Sequence, residues 1–209
     1  MCGIVGYIGP QKAVPIIVDG LKRLEYRGYD SAGVATLEKG ALTRRRAEGK
    51  LVNLEAEVEA HELPGTIGIG HTRWATHGKP SVRNAHPIAT DRVAIVHNGI
   101  IENFQELKDE LLAECRRFDS DTDNEVVAQL LTSYLERQMS PEQAMAKAME
   151  RLKGAFALAV LFSGRHDILM GARRGSSLAV GYGEEAMYIG TDALALAPFT
   201  DRKSTRLNS

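Results

Sequence analysis

GAFALAVLF at residues 154–162 is followed at short intervals by DILMGARR (167–174), LAVGYG (178–183) and AMYIG (186–190). Each run has strand length and is bounded by glycine, serine or charged residues, so four closely spaced strands are predicted. Upstream, helical patterns cover about 103–116, 124–138 and 141–152. Ser140, Pro141 and Glu142 supply an N-cap, a first-turn proline and an early acid for the last of these. Still earlier, TIGIGHT (66–72) and RVAIVHN (92–98) read as strands that run into polar clusters, with a long loop, 73–91, between them. The start of the chain reads as a strand (3–9), then a helix (12–24) in which Pro15 fits only near the first turn. GVATLE and ALTRRRA flank Lys39-Gly40 as a hairpin, and Leu51, Leu54 and Val58 share one face of a helix. Strands, then helices, then strands again point to an α+β sandwich rather than a βαβ array.

The 209 residues suit one domain or slightly more. Hydrophobic residues at 44% and charged residues at 25% exclude a largely disordered chain. A net charge of -1 provides no global basic field, so neither nucleic acid nor a membrane is expected as partner. No apolar run approaches the ~18 residues of a membrane span. MCGIVGYIG lacks the basic region of a signal peptide. Cys2 and Cys115 are too few for a disulfide framework, and a reducing cytoplasm is the expected compartment.

A loop longer than ~12–15 residues inside a compact domain usually serves function. The loop at 73–91 opens with Arg73, Trp74, Ala75, Thr76, His77 and Gly78. The Arg73 fork suits a carboxylate, although a surface arginine beside a core tryptophan would fit the same residues. Asn98 and the Gly99 N–H form a workable oxyanion hole, and Asn-Gly is equally a hairpin-turn signal. Cys2, once Met1 is removed, carries a thiol and an α-amine whose ordinary pKa is ~7.7–8.0, hence a nucleophile with its own base. Thiol, oxyanion site and carboxylate-binding arginine together describe acyl transfer. His71, His77, His86 and His97 show no metal-ligand spacing, so no metal is expected, and no cofactor. Arg44-Arg45-Arg46 reads as charge protecting an edge strand.

Six stretches then make the chain recognisable: Cys2–Gly6, Leu24–Gly33, His71–Gly78, Asn84–Pro87, Val96–Asn103 and Thr122–Glu125. Together they resemble the glutaminase domain of the isomerising glutamine:fructose-6-phosphate amidotransferases, a branch of the class II glutamine amidotransferases, over about residues 2–200. The purine-pathway amidophosphoribosyltransferases and asparagine synthetases share Cys-Gly-Ile and Asn-Gly but differ around the arginine loops.

The resemblance implies an N-terminal nucleophile hydrolase fold, a four-layer αββα sandwich of two mostly antiparallel sheets. It implies that Cys2 attacks the side-chain amide of L-glutamine and that Asn98 and Gly99 hold the oxyanion. Arg73, with Thr76 and His77, would hold the glutamine carboxylate; Asp123 would pair with its ammonium, and Trp74 would close over it. Arg27 would support the Cys2 region, and His86 matches a family position near the partner domain. Asn124 stands where the family often has threonine. The glutaminase domain would occupy 2–202, with 203–209 as an unmatched tail. The sugar-phosphate isomerase domain, through which fructose 6-phosphate would be used, is absent; the expected parent is a longer homo-oligomer and this chain a fragment of it. Another class II amidotransferase is the alternative enzyme. A non-catalytic glutamine-sensing module is the alternative class, favoured if Met1 is retained.

Overall fold

A computed structural model describes residues 2–75, 78–200 and 202–204, the last three by their backbone. In chain order these form β1 (Gly3–Ile8), α1 (Ala13–Lys22), β2 (Ser31–Glu38), β3 (Ala41–Glu48) and α2 (Leu51–Ala60). Next come β4 (Ile67–Arg73), β5 (Ile88–Ala89), β6 (Val93–Gly99), α3 (Phe104–Ala113), α4 (Asp123–Glu136) and α5 (Pro141–Arg151). The chain continues through β7 (Phe156–Phe162), β8 (Leu169–Arg174), β9 (Ala179–Tyr182), β10 (Met187–Gly190), α6 (Ala193–Leu196) and β11 (Arg202–Ser204).

The strands build a seven-stranded sheet, β11-β9-β10-β1-β4-β2-β3, and a four-stranded sheet, β5-β6-β7-β8. Every named ladder is antiparallel. The alternation of β7 shows why its sequence is apolar throughout. Phe156, Leu158, Val160 and Phe162 pack with Val126, Leu130 and Ala148 of α4 and α5. Their neighbours Ala157, Ala159 and Leu161 face Ile4, Leu37 and Ile69 of the other sheet. Successive side chains on a strand point to opposite faces, so a strand covered on both sides needs no polar face. A third cluster joins Val5, Tyr7 and Val34 of the larger sheet to Ile17 and Leu21 of α1 and to Leu51 and Leu54 of α2. Helices, sheet, sheet and helices make the four layers expected.

Gly70 explains how α1 lies so close to its sheet. A Cβ built there would stand 2.3 Å from Ile17 Cγ2. In the hairpin, Lys39 (φ 48°) and Gly40 (φ 85°) both have positive φ, the signature of a two-residue turn of type I′. Ser140 caps α5 as expected, and Gln143 completes a capping box.

Three features differ from the sequence reading. β4 and β6 extend one residue further than expected, placing Arg73 opposite Ser31 and Gly99 opposite Phe156 inside the ladders. The long loop contains the two-residue β5, paired with β6. The backbone of Arg202–Ser204, which runs from the expected last residue of the domain into the first two of the tail, pairs with β9 as a strand that the sequence does not signal. Local composition signals neither of these short strands, because both form on edges that other elements supply.

β3 is an edge strand, as its arginines suggested, but two of them do more than repel other strands. Arg44 Nη1 donates to Pro87 O at 3.0 Å. Arg46 Nη1 donates to Arg83 O and Ala85 O, each at 3.0 Å. Burial lowers the pKa of both, that of Arg46 to about 10. The charged strand thus holds down the loop that follows Arg73.

Candidate active site

Cys2 sits just ahead of β1, which lies between β10 and β4 in the middle of the larger sheet. Trp74 N–H donates to Cys2 Sγ at 3.2 Å, and Sγ lies 3.5 Å from Trp74 O. The Cys2 carbonyl accepts Asn98 Nδ2 at 3.2 Å and Arg27 Nη1 at 3.4 Å. Burial pushes the thiol pKa up, while the Trp74 N–H and the Arg73 charge pull it down without cancelling the rise. A thiol raised in this way is protonated at neutral pH and needs a base to attack.

Next to the thiol opens a cavity of about 650 Å³, within the range of small-ligand sites. Cys2, Arg27, Arg73, Trp74, His86, Asn98, Gly99 and Asp123 all line it. Eight residues singled out in the sequence therefore meet at one place. Thr76 and His77 lie outside the described residues.

Each side chain is placed by the fold. Arg73 ends β4 and is buried; its Nη2 donates to Gly78 O at 3.2 Å and Nη1 lies 4.0 Å from Asp30 Oδ1. Asp30 also braces the strand end, donating its N–H to Arg73 O and accepting Ala75 N–H. Asp123 opens α4 and accepts Ile101 N–H at 3.0 Å, with His97 Nδ1 at 3.9 Å from its other oxygen. Gly99 has φ 103°, and a Cβ there would meet Ala155 O at 2.1 Å. No other residue fits that backbone position. Trp74 stands 54% exposed at the mouth. A cationic fork and a carboxylate around one cavity match the two charges of an α-amino acid, leaving its side chain to reach the thiol.

His86, which the resemblance sets near a contact with a partner domain, lines the cavity in this chain. It is buried, its ring centroid 4.6 Å from that of His71 and 6.4 Å from that of His97. Burial drops its pKa well below the ordinary value, with the neighbouring His71 adding to the fall. Asn124 is also fully buried, its Nδ2 3.5 Å from Ile95 O.

The sequence reading missed Thr191 and Asp192. Thr191 exchanges hydrogen bonds with Ile4, accepting its N–H on Oγ1 at 3.1 Å and donating its own N–H to Ile4 O at 3.2 Å. Asp192 pairs with Arg27 Nη2 at 2.7 Å. Neither carries a local motif, and they stand almost the whole chain away from Cys2. Ser176 and Ser177 line the cavity without having been foreseen either. Among the described residues, no group of three or more His, Cys, Asp or Glu could hold a metal ion, and no helix is long and apolar enough to cross a membrane.

A family profile described as "Glutamine amidotransferase domain" matches residues 71–198. The chain belongs to that family. Among proteins similar to this amidotransferase domain is glutamine–fructose-6-phosphate aminotransferase (isomerizing) of Brucella suis, 63% identical over 201 residues. The match covers 96% of this chain and 33% of that protein. The Mesorhizobium japonicum protein of the same name is 61% identical with the same coverage. The chain thus spans about a third of the length of these relatives. Among solved structures, the glutamine phosphoribosylpyrophosphate amidotransferase of B. subtilis superposes with a TM-score of 0.82 at 25% identity. That superposition covers 94% of this chain and 43% of the other. A glutamine aminotransferase class-II domain protein of Silicibacter pomeroyi shares the fold, with a TM-score of 0.53 at 20% identity over 90% of this chain and 88% of its own. The amidotransferase domain has the N-terminal nucleophile fold and is the glutaminase part of the longer relatives.

Proposed function

We propose that this domain hydrolyses the side-chain amide of L-glutamine to glutamate and ammonia, with Cys2 as nucleophile. The observation that carries the reading is the convergence of the Cys2 thiol, Arg73, Asp123 and the Asn98 amide on one cavity. Arg73 binds the α-carboxylate, aided by Thr76 and His77, and Asp123 binds the α-ammonium. That grip directs the substrate carboxamide towards Sγ, replacing a bimolecular encounter with a positioned attack.

Removal of Met1 frees the Cys2 α-amine, which accepts the thiol proton through a water molecule. The thiolate attacks the amide carbon, and Asn98 Nδ2 with the Gly99 N–H stabilises the resulting oxyanion. The protonated amine returns its proton to the departing nitrogen, so ammonia leaves and a thioester remains. Water, deprotonated by the same amine, cleaves the thioester to release glutamate and restore the thiol. Trp74, at the mouth, covers the bound substrate. Arg27 holds the Cys2 carbonyl and His86 lines the cavity. Every step uses groups of the chain, its substrate and water; no cofactor enters.

The glutaminase unit occupies residues 2–202. In a longer parent, a homo-oligomer of the reducing cytoplasm, the ammonia would pass to an isomerase domain and convert fructose 6-phosphate to glucosamine 6-phosphate. The names of the relatives support that acceptor, and two free cysteines fit the compartment.

Cys2→Ala tests the proposal. Glutamate release should fall to background while glutamine still raises the melting temperature of the variant, and intact mass of the wild type should show Met1 removed. Undiminished hydrolysis by Cys2→Ala would overturn the mechanism.

A further inference from the structure

The oxyanion donor Asn98 has an amide whose two ends are chemically opposite, and only one orientation serves catalysis. Its Nδ2 lies 3.2 Å from Cys2 O and its Oδ1 lies 2.9 Å from His71 Nε2. A backbone carbonyl can only accept, so the atom facing Cys2 O must be the NH₂ group. The amide oxygen then faces His71, and only a ring nitrogen bearing hydrogen satisfies it. We propose that His71 is a positioning residue for glutamine hydrolysis: its Nε2–H locks the Asn98 amide with NH₂ towards Cys2 and the cavity. The inference rests on the glutaminase reading above and adds a residue that neither touches the substrate nor lines the cavity.

Three further observations support it. His71 is fully buried in β4, opposite Ile4 of β1 and Gly33 of β2. The His86 ring packs on it at 4.6 Å between centroids, which limits rotation of the imidazole. Burial, with smaller contributions from His97 and Arg73, lowers its pKa to about 3 against the opposing hydrogen bonds to Asn98 and the His97 backbone, so the ring is neutral through the physiological range. A neutral imidazole has one donor and one acceptor nitrogen, and the hydrogen bonds decide which is which. With Nε2 as donor, one hydrogen of Asn98 Nδ2 serves Cys2 O and the second is left for the oxyanion. Were Nε2 the acceptor, the amide would turn over, put Oδ1 against Cys2 O, and present an oxygen to the developing negative charge.

His71→Leu and His71→Gln, with glutamate release as the assay, test the proposal. Gln carries an amide donor at a reach close to that of Nε2, whereas Leu leaves Asn98 Oδ1 unheld. Outright loss of an oxyanion donor costs about 100- to 1000-fold in kcat. Because a freed amide still visits the productive orientation, the Leu variant should lose about 10- to 100-fold in kcat, with the glutamine KM changed less than about 3-fold. The Gln variant should recover most of the rate, and alkylation of Cys2 by iodoacetamide should proceed at wild-type speed in both. Long-range ¹H–¹⁵N spectra of the unsubstituted protein add a readout that no folding defect can confuse, and should show His71 as the Nε2–H tautomer from pH 5 to 8. An unchanged kcat in His71→Leu, equal losses in the Leu and Gln variants, a slowed alkylation, or an Nδ1–H tautomer would each overturn it. Activity retained by Cys2→Ala would instead overturn the glutaminase reading, so the two failures are distinguishable.

Discussion

Replacing Asp192 by alanine should weaken both the fold and the reaction. Asp192 Oδ2 accepts Arg27 Nη2 at 2.7 Å and the Tyr26 hydroxyl at 2.9 Å, and Oδ1 accepts Leu194 N–H at 3.0 Å. The Arg27 and Asp192 side chains are 13% and 22% exposed, between the surface pairs that contribute ~0–1 kcal/mol and buried ones. About 1 kcal/mol for this charge-assisted contact, and about 1 kcal/mol for the cap on a helix of one turn, give a loss of about 2 kcal/mol. At ~2–4 °C per kcal/mol for a domain of this size, the melting temperature should fall by about 4–8 °C. The chemical consequence runs through Arg27, whose Nη1 holds the Cys2 carbonyl at 3.4 Å. Small displacements of a nucleophile are expensive, and kcat should drop about 10- to 100-fold. The charge can be isolated with Asp192→Asn. Burial raises the Asp192 pKa, but the Leu194 N–H, the Tyr26 hydroxyl and Arg27 together depress it below the ordinary value. The carboxylate's contribution is therefore fully present above the unfolded pKa of ~3.9 and lost as the pH falls through the folded value. The stability gap between wild type and Asp192→Asn should close below pH 4. A double-mutant cycle with Arg27→Ala, followed by urea unfolding and glutamate release, measures the coupling. Additivity within ~0.5 kcal/mol would refute the argument, because it would mean the pair acts as two independent residues.

Acid should destabilise the domain through its buried histidines. The folded pKa of His71 is lowered to about 3 by burial, and that of His86 is lowered in the same way. Below the unfolded value of ~6.5 the unfolded chain binds protons that the folded chain refuses, so stability is lost as the pH falls. For His71 alone this amounts to about 2 kcal/mol between pH 7 and 5; urea unfolding at the two pH values checks it, and equal stabilities would contradict it. Arg46→Ala should cost about 2–3 kcal/mol by stripping a charged donor from the Arg83 and Ala85 carbonyls. It should also raise the glutamine KM more than it lowers kcat, since the loop it clamps continues from Arg73; a KM within twofold of wild type would count against that role.

The elements that could be read from the chain are those whose causes are local. β7 follows from an apolar run of strand length, the Lys39-Gly40 hairpin from its turn dipeptide, and α5 from Ser140 and Pro141. The ends of β4 and β6 run one residue past their local signal, because Arg73 and Gly99 are polar or small and their strand character comes from the partners Ser31 and Phe156. Residue types alone left Arg73 and Asn98-Gly99 ambiguous between site and surface, and the combined motif pattern removed that ambiguity. What stayed hidden was every contact made by register across the sheets. His71 reads as one histidine among several until β4 and β6 bring its Nε2 to Asn98. Arg44 and Arg46 read as edge protection until β3 lies over the loop carbonyls.

The position of β1 ties these observations to the reaction. A nucleophile at the start of a chain would ordinarily be among its least ordered residues. Here β1 is paired along both edges, with β4 on one side and β10 on the other. The last clasp comes from the far end of the domain, where Thr191 brackets Ile4 and Asp192 fixes the arginine that holds the Cys2 carbonyl. Ordering of Cys2 therefore requires β4, β6 and the segment after β10 to be in place together. Most of that cost falls on contacts of large sequence separation, which form only after the intervening chain has folded. Glutamate release thus reports completion of both sheets as well as the presence of a thiol. It also follows that a residue as remote in sequence as Asp192 acts on the same atoms as one in the N-terminal motif.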